Sequence, residues 1–375
     1  MKRGTWFWAA AGLALLGLSC AGPGLEPPQD QGLAGSGSGT GGAGGAAGTG
    51  GGAAGMGSPI GGGTGGEPID NPGTMDASTN EPSTDADGGV DGSLNDDAGA
   101  TYDSRELVGP SYMGSVSNGA ECSMSYPTQG HEPVSAPGAK HPLFLYFVGT
   151  EFVPGDASAQ HDSPAALAVT EAMARRGFVA LSVSYDNDAI AWLSDHVSQL
   201  ACLFDASKPA SAIAAACALP NVDCELGVAT WGHSQGAYVA HMAHNNEPRV
   251  RAAWTTGYGG DGMATLSSDR LRVVNGEADA GDNGTAAKLM MITGMTAAEC
   301  GDPDQCLRDD GSGWIIVRKS ELAAPDVSSA DHCWFDRQSC SASAIMLEPN
   351  WVSPASDKAF ALEANADWVA STTRR

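Results

Sequence analysis

The sequence is poor in basic residues. Lys and Arg together number 19 against 44 Asp and Glu, which gives a formal net charge of −25 at pH 7. A surface of this sign repels nucleic acid phosphates and anionic lipid headgroups, so neither is an expected partner. Long apolar runs are also scarce: the run at residues 6–18 is too short to span a bilayer comfortably.

Residues 1–20 have the layout of a bacterial export signal. Lys2 and Arg3 precede the apolar run, which leads to Ser19 and Cys20. Residues 16–20 resemble a lipoprotein signal, in which the cysteine becomes the lipid-modified first residue of the mature protein. We therefore expect an exported lipoprotein of the cell envelope, at the outer membrane or cell surface, attached to the membrane only through a lipid on Cys20. Ordinary secretion and an uncleaved anchor are the alternatives, because Gly17 stands where such signals usually carry Leu.

Residues 21–100 lack nearly every residue type that builds a core. They are mostly Gly, Ala, Ser, Thr, Pro and Asp, with 11 acidic and no basic side chains. Such a composition predicts a disordered linker, because it cannot bury enough apolar surface to offset the entropy of ordering. A Gly-rich coil of this length has a root-mean-square reach of about 50 Å. The folded domain is therefore expected at residues 101–375, which carry 33 acidic and 17 basic side chains.

Cysteine pairs of the CxxC type are absent, so no metal site is predicted. Eight cysteines follow Cys20, and an even number in an exported chain indicates disulfide bonds. The short spacings from Cys300 to Cys306 and from Cys333 to Cys340 predict two local bridges.

From residue 101 onward, short apolar runs alternate with Ala-rich segments of helical length. This alternation predicts an α/β domain with a mostly parallel central sheet flanked by helices. Ser163 as N-cap, Pro164 at the first helical position and Gly177 as the stop delimit the first helix. Residues 111–126 are predicted to add one or two antiparallel edge strands. The predicted core strands are 143–148, 178–185, 226–231, 250–255, 271–275 and 314–317.

The predicted strand 226–231 runs into the motif Gly232-His233-Ser234-Gln235-Gly236. In a strand–turn–helix context, G-x-S-x-G forms a nucleophile elbow. The turn is so sharp that the serine takes a strained backbone conformation, and the two flanking glycines let strand and helix pass closely. We therefore predict Ser234 as a nucleophile at the carboxyl edge of the sheet, where ligands bind in open α/β folds. The alternative is a serine that only caps the following helix.

A serine hydroxyl is a weak nucleophile, so a base must take its proton. Where an elbow occurs in an α/β fold, the chain order is Ser, then Asp or Glu, then His. His332 is the only histidine after His244 and is therefore the predicted base. His241 and His244 are expected on the surface of the helix after the elbow, and His233 is expected to pack or hydrogen-bond locally.

A carboxylate must orient the base, and the predicted strand 271–275 ends in an acidic turn. We expect Asp279 to be that acid. Glu277 and Asp282 in the same turn, and Asp261 after the preceding strand, remain open as alternatives.

A tetrahedral intermediate needs N–H donors for its oxyanion. In such folds the donors are the amide after the nucleophile and one in a loop after an earlier strand. These positions predict the backbone N–H groups of Gln235 and Thr150, with Glu151 as the alternative to Thr150.

These residues resemble the α/β-hydrolase superfamily over roughly residues 140–370. Residues 232–237 are similar to the elbows of cutinases and secreted lipase-like esterases, and residues 147–150 resemble the oxyanion strand of the broader family. The resemblance implies a serine hydrolase that cleaves carboxylic esters through an acyl-enzyme without a cofactor. An amidase, a peptidase or an acyltransferase would use the same residues. A degenerate hydrolase fold kept as a surface binding module is the alternative outside enzymes.

Overall fold

The computed structural model describes most of the predicted folded domain. The predicted signal peptide 1–20, with Cys20, and the predicted linker 21–100 lie outside the described residues, as do Glu151, Asp261 and Cys340. None of the described helices combines the length and apolarity that crossing a bilayer requires. The described residues are 101–116, 120–150, 161–187, 189–260, 263–325, 327–336 and 347–375.

Strands and helices alternate along the described chain, as the sequence pattern predicts. The strands are β1 (Ser104–Val108), β2 (Tyr112–Gly114), β3 (Met124–Tyr126), β4 (Thr128–Pro133), β5 (Leu143–Phe147), β6 (Val179–Val183), β7 (Val228–His233), β8 (Val250–Thr256), β9 (Leu271–Gly276), β10 (Gln305–Leu307) and β11 (Gly313–Val317). The helices are α1 (Pro164–Arg175), α2 (Ala189–Phe204), α3 (Ala212–Cys217), α4 (Gln235–Met242), α5 (Ala286–Thr293), α6 (Pro349–Val352) and α7 (Leu362–Arg374).

Nine of these strands form one mixed sheet at the centre of the fold. Six are parallel and occupy its middle, in the order β6, β5, β7, β8, β9 and β11. Antiparallel strands complete both edges, with β4 and β1 beside β6 and with β10 beside β11. The carboxyl ends of the parallel strands therefore meet at one edge of the sheet.

The six parallel strands coincide with the six predicted core strands, which confirms an α/β architecture with a mostly parallel sheet. A strand covered on both faces reads as a nearly continuous apolar run, since neither face meets water. All five residues of β5, Leu-Phe-Leu-Tyr-Phe, are buried, and the same holds for β6 and β11.

The prediction for residues 111–126 was wrong about the edge of the sheet. Strands β2 and β3 pair with each other in a separate two-stranded sheet. Contacts across the fold hold them there: Cys122 is disulfide-bonded to Cys202 of α2, and the Tyr112 hydroxyl donates to the Ser184 carbonyl oxygen at 2.6 Å. The edge is formed by β1 and β4 instead. Their sequences, Ser-Arg-Glu-Leu-Val and Thr-Gln-Gly-His-Glu-Pro, lack the apolar run that marks the central strands.

Helix α1 begins and ends where its sequence signals predict. The Ser163 hydroxyl accepts a hydrogen bond from the Ala166 N–H at 3.2 Å, Pro164 is the first helical residue, and Gly177 follows the helix with a φ of 81°. The helix packs on β4, β6 and α7. Helix α4 packs on β5, β7 and β8, and its first residue is Gln235. This packing sets the start of α4 at the carboxyl edge of the sheet.

An aromatic cluster fills the core between the sheet and the segment that carries His332. Trp231 stacks on Trp254 with ring centroids 4.4 Å apart, and Phe335 lies 5.1 Å from Trp351. All four rings are fully buried. Burial of an aromatic side chain contributes roughly 1.5–3 kcal/mol, so Phe335 is a strong anchor for the loop just before it.

Three disulfides lie within the described residues: Cys122–Cys202, Cys217–Cys224 and Cys300–Cys306. The third is a pair that the short spacing predicts. Cys333 is also disulfide-bonded, and its predicted partner Cys340 lies outside the described residues.

The two bridges that span very different loops give a test of how the disulfides stabilise the fold. Their cysteines are 80 and 7 residues apart. Loop-closure entropy predicts that replacing both cysteines of Cys122–Cys202 by Ser lowers the free energy of unfolding by about 4.5 kcal/mol, against about 2.5 kcal/mol for Cys217–Cys224. Denaturant unfolding of the two double variants measures the difference. A larger loss for the short loop would contradict this origin of the stabilisation.

Candidate active site

Ser234 lies in the turn between β7 and α4, with φ 57° and ψ −120°. A positive φ is uncommon for a residue with a side chain, and such strain costs about 1–3 kcal/mol and persists only where the surroundings impose it. Among the described non-glycine residues, only Cys122 shares this sign of φ. The Ser234 N–H donates to the Thr256 carbonyl oxygen at 2.9 Å, and its own carbonyl accepts from the Ala237 N–H at 3.0 Å. The strained turn is thus held from both sides.

The two glycines of the motif are required for space. A methyl group on Gly232 would overlap the backbone of Gly236, and one on Gly236 would overlap the carbonyl oxygens of Phe147 and Val148. Neither glycine has a positive φ, so close approach is what excludes a side chain. The Ser234 side chain makes no capping hydrogen bond to α4, which argues against the reading of this serine as a helix cap.

His332 and Asp279 are hydrogen-bonded, with 2.7 Å between His332 Nδ1 and Asp279 Oδ1. The Asp279 side chain is fully buried, whereas that of His332 is 21% exposed. An ionised carboxylate only accepts, so Nδ1 carries the shared proton and the lone pair of the neutral ring is on Nε2. Asp279 Oδ1 also accepts from the Ala280 N–H at 2.6 Å, which fixes the carboxylate.

Main-chain contacts bring the loops of these two residues together. The Ala278 N–H, one residue before Asp279, donates to the carbonyl oxygen of Ala330, two residues before His332, at 2.9 Å. On the other side of His332, residues 334–335 are buried in the aromatic core. The long connection after β11 therefore reaches a defined position.

Ser234 and His332 both lie beside the backbone at the end of β8, at Thr256 and Gly257. The Ser234 N–H is bonded to Thr256, and a methyl group on the next residue, Gly257, would lie 2.7 Å from His332 Cε1. The ring of His233 lies 4.6 Å from that of His332. Within the described part of the chain, the Ser234 hydroxyl is not hydrogen-bonded to His332. Such bonds are often long in free enzymes and shorten in the complex with substrate.

The competing acids have other surroundings. Glu277 accepts from Arg318 Nη1 at 3.1 Å and from the Lys319 N–H at 2.7 Å, so it belongs to an ion pair behind the turn. Asp282 is exposed, and Asp261 lies outside the described residues. Of the described candidates, Asp279 is the one in contact with His332.

Of the two predicted oxyanion donors, Gln235 directly follows Ser234 and Thr150 follows a residue that lies close to it. Gln235 is the first residue of α4, where a backbone N–H has no partner within its own helix. Thr150 is half-buried just after β5, and a methyl group on the residue before it, Gly149, would lie 3.2 Å from the Ser234 Cβ. Glu151, the alternative donor, lies outside the described residues.

Two side chains that the sequence analysis missed hold the end of β5. The Tyr185 hydroxyl donates to the Val148 carbonyl oxygen at 2.7 Å, and Asn187 Nδ2 donates to the Gly149 carbonyl oxygen at 2.6 Å. Both residues are buried just after β6. Both residues lie at or just after the carboxyl end of the predicted strand 178–185, and this position could have marked them as candidates for the site.

The histidines near the motif are partly as predicted. His233 is buried, but its packing is not local: its ring lies 4.6 Å from that of His332 and 4.9 Å from that of Phe335. His241 is not on the surface: it is 5% exposed, with its Nδ1 2.7 Å from the Tyr258 hydroxyl oxygen. The surface prediction failed because α4 buries seven of its eight residues and so has little outward face. His244 is half-buried, and its Nδ1 lies 2.9 Å from Thr265 Oγ1.

Two other polar clusters in the described residues lack a free thiol or hydroxyl nucleophile. Glu121, Cys122 and Cys202 have ligand atoms close enough for a metal, but the two sulfurs are bonded to each other and are not thiolates. A separate concave region has an acidic lining without Ser, Cys or His. Its carboxylates belong to Asp302, Asp304, Glu321 and Asp357.

Compared with protein-family models and with curated proteins, the chain matches none. Any functional interpretation therefore depends on the geometry around Ser234, His332 and Asp279.

The space requirement at the turn can be tested with one added methyl group. Gly236→Ala forces the new Cβ into the backbone of β5, and overpacking of this kind lowers the free energy of unfolding by about 1–3 kcal/mol. Gly301→Ala is the matched control, since nothing lies within 4 Å of its added Cβ. Denaturant unfolding compares the two variants. Equal stability would show that the strand and helix do not approach this closely.

Proposed function

We propose that the chain is a serine hydrolase of the α/β-hydrolase type. Within that class, we propose a carboxylic ester hydrolase that works through an acyl-enzyme. One observation carries the proposal: a strained serine between a parallel strand and a helix shares an edge of the sheet with a hydrogen-bonded His332–Asp279 pair. The order Ser234, Asp279, His332 along the chain is also that of the class.

In the acylation step, the Ser234 Oγ attacks the ester carbonyl carbon while His332 Nε2 takes the hydroxyl proton. Asp279 stabilises the imidazolium that results and keeps its Nδ1 proton in place. The carbonyl oxygen becomes an oxyanion, for which the N–H groups of Gln235 and Thr150 are the proposed donors. When the tetrahedral intermediate collapses, the C–O bond to the alcohol breaks and His332 returns the proton to the leaving oxygen.

In the deacylation step, a water molecule replaces the alcohol. His332 takes a proton from the water as it attacks the acyl carbon, and the second tetrahedral intermediate expels Ser234 Oγ. His332 then protonates the serine, and a carboxylic acid leaves. The enzyme returns to its starting state with one ester bond hydrolysed and no electrons transferred.

The short connection between two strands favours an open site. Strand β8 ends at Thr256 and β9 begins at Leu271, which leaves too few residues for a large lid domain. We therefore propose an ester of modest size or one presented on a surface. The predicted export signal, the predicted lipid on Cys20 and the predicted linker 21–100 support a site of action outside the cytoplasm, on a cell-envelope lipoprotein or a secreted protein.

Labelling with a fluorophosphonate tests the nucleophile directly. We expect the full chain and the exposed-serine control Ser320→Ala to take up the label and to hydrolyse short p-nitrophenyl esters. Ser234→Ala should not be labelled and should lose at least about 10³-fold in kcat, since the attacking atom is gone. Circular dichroism checks that each variant is folded. A folded chain that neither reacts nor turns over any ester or peptide would be a binding module instead.

Two acidic residues of one turn make a matched pair for testing the orienting carboxylate. Asp279→Asn should lower kcat by about 10⁴-fold, because an amide cannot hold the required tautomer of His332. Glu277→Gln should leave kcat within about threefold, since Glu277 contacts Arg318 and the Lys319 N–H rather than the histidine. Steady-state kinetics on one ester compares them. The opposite ranking would assign the role to Glu277.

Substrate series then separate the related chemistries. An esterase is expected to hydrolyse esters without measurable turnover of matched amides and peptides, whereas an amidase or peptidase would cleave both, since the alcohol is the better leaving group for either enzyme. Transfer of the acyl group to an added alcohol in preference to water would identify an acyltransferase.

A further inference from the structure

His233, the residue before the proposed nucleophile, touches the ends of three segments that form the site. Its ring centroid is 4.6 Å from that of His332 and 4.9 Å from that of Phe335, which it meets edge-on. A methyl group on Gly257 would lie 2.9 Å from His233 Cε1, and one on Gly149 would lie 3.3 Å from His233 Cδ2. The ring therefore contacts the loop of the proposed base, the end of β8 and the end of β5 together.

Packing dominates these contacts, and the polar contacts of the ring are few: beside one hydrogen bond to the backbone of Thr256, they are long. The Nδ1 of His233 is 3.4 Å from Thr256 Oγ1, and its Nε2 is 3.9 Å from Cys333 Sγ. Both distances lie at or beyond the long end of hydrogen bonding. With only 4% of the residue exposed, what His233 mainly provides is a planar ring of fixed position.

The surroundings of the ring also favour its uncharged form. Burial, followed by repulsion from His332, holds the pKa of His233 well below the usual range for histidine. A neutral ring can lie against His332 even after that residue has gained a proton, whereas a second cation at this distance would oppose the proton transfer.

From these contacts we infer that His233 is a positioning residue: its ring confines the His332 ring against Gly257 and so sets the place of the base beside Ser234. This inference rests on the proposed function, in which His332 is the base. His233 takes no part in the bond changes and acts only through its neighbour. Misplacing a catalytic group by about 1 Å can cost 10²-fold in rate, so a void here should have a large effect.

The test uses the full chain with variants that separate ring shape from polarity. His233→Ala should lower kcat for a p-nitrophenyl ester by about 100-fold with little change in KM. His233→Phe keeps a planar ring and should recover most of the loss, whereas His233→Asn keeps a polar group without the ring and should not. His131→Ala is the control, since His131 is another buried histidine, on β4, bonded to Thr170.

A second readout does not depend on turnover. The proton between His332 Nδ1 and Asp279, which are 2.7 Å apart, should give a downfield proton NMR resonance, identified by its loss in Asp279→Asn. We expect His233→Ala to broaden or shift this resonance, and His233→Phe and His131→Ala to keep it.

The outcomes are distinguishable. Wild-type protein that shows the resonance but hydrolyses nothing would overturn the proposed function, and the resonance would still decide the positioning role. A resonance and a kcat that are unchanged in a folded His233→Ala variant would overturn the inference, as would rescue by Asn but not by Phe. If His233→Ala fails to fold, the comparison of Phe with Asn decides the matter in the same way.

Discussion

The backbone of Ser234 is the constraint on which the rest of the candidate site depends. Its conformation is costly by itself, and it persists because β7, α4 and β5 pass each other at distances that only Gly232 and Gly236 allow. A central parallel sheet supplies that rigidity, since β7 is hydrogen-bonded on both sides and all its residues are buried. Strain at one residue is thus supported by packing over many.

Burial plays a second role at the Asp279–His332 pair. The carboxylate has no access to water, so its charge depends on the imidazole and on the Ala280 N–H. A buried charge with few partners is costly, so moving the imidazole away from the carboxylate would be unfavourable. This cost keeps the ring and the carboxylate in one geometry. The aromatic core adds the anchor on the far side, because Phe335 fixes the chain three residues beyond His332. In this pair the imidazole is the partly exposed member and the carboxylate is the buried one.

Much of this arrangement can be predicted from local sequence pattern. The six parallel strands are apolar runs bounded by breakers, and the first helix has its cap, its Pro and its stop in order. Prediction from local sequence pattern fails where a strand has little apolar content or where a helix is buried on nearly all of its faces. The polar edge strands β1 and β4 were missed for the first reason, and the burial of His241 was mispredicted for the second.

The sequence by itself determined the six central strands, the first helix, the motif at Ser234 and His332 as the single histidine after His244. Only the tertiary structure decided which carboxylate meets that histidine, which side chains hold the end of β5, and that His233 lies against His332. The physical reason is one of range. Turns, caps and apolar runs depend on neighbours along the chain, whereas contacts between residues 53 or 100 positions apart follow from how the strands and loops pack.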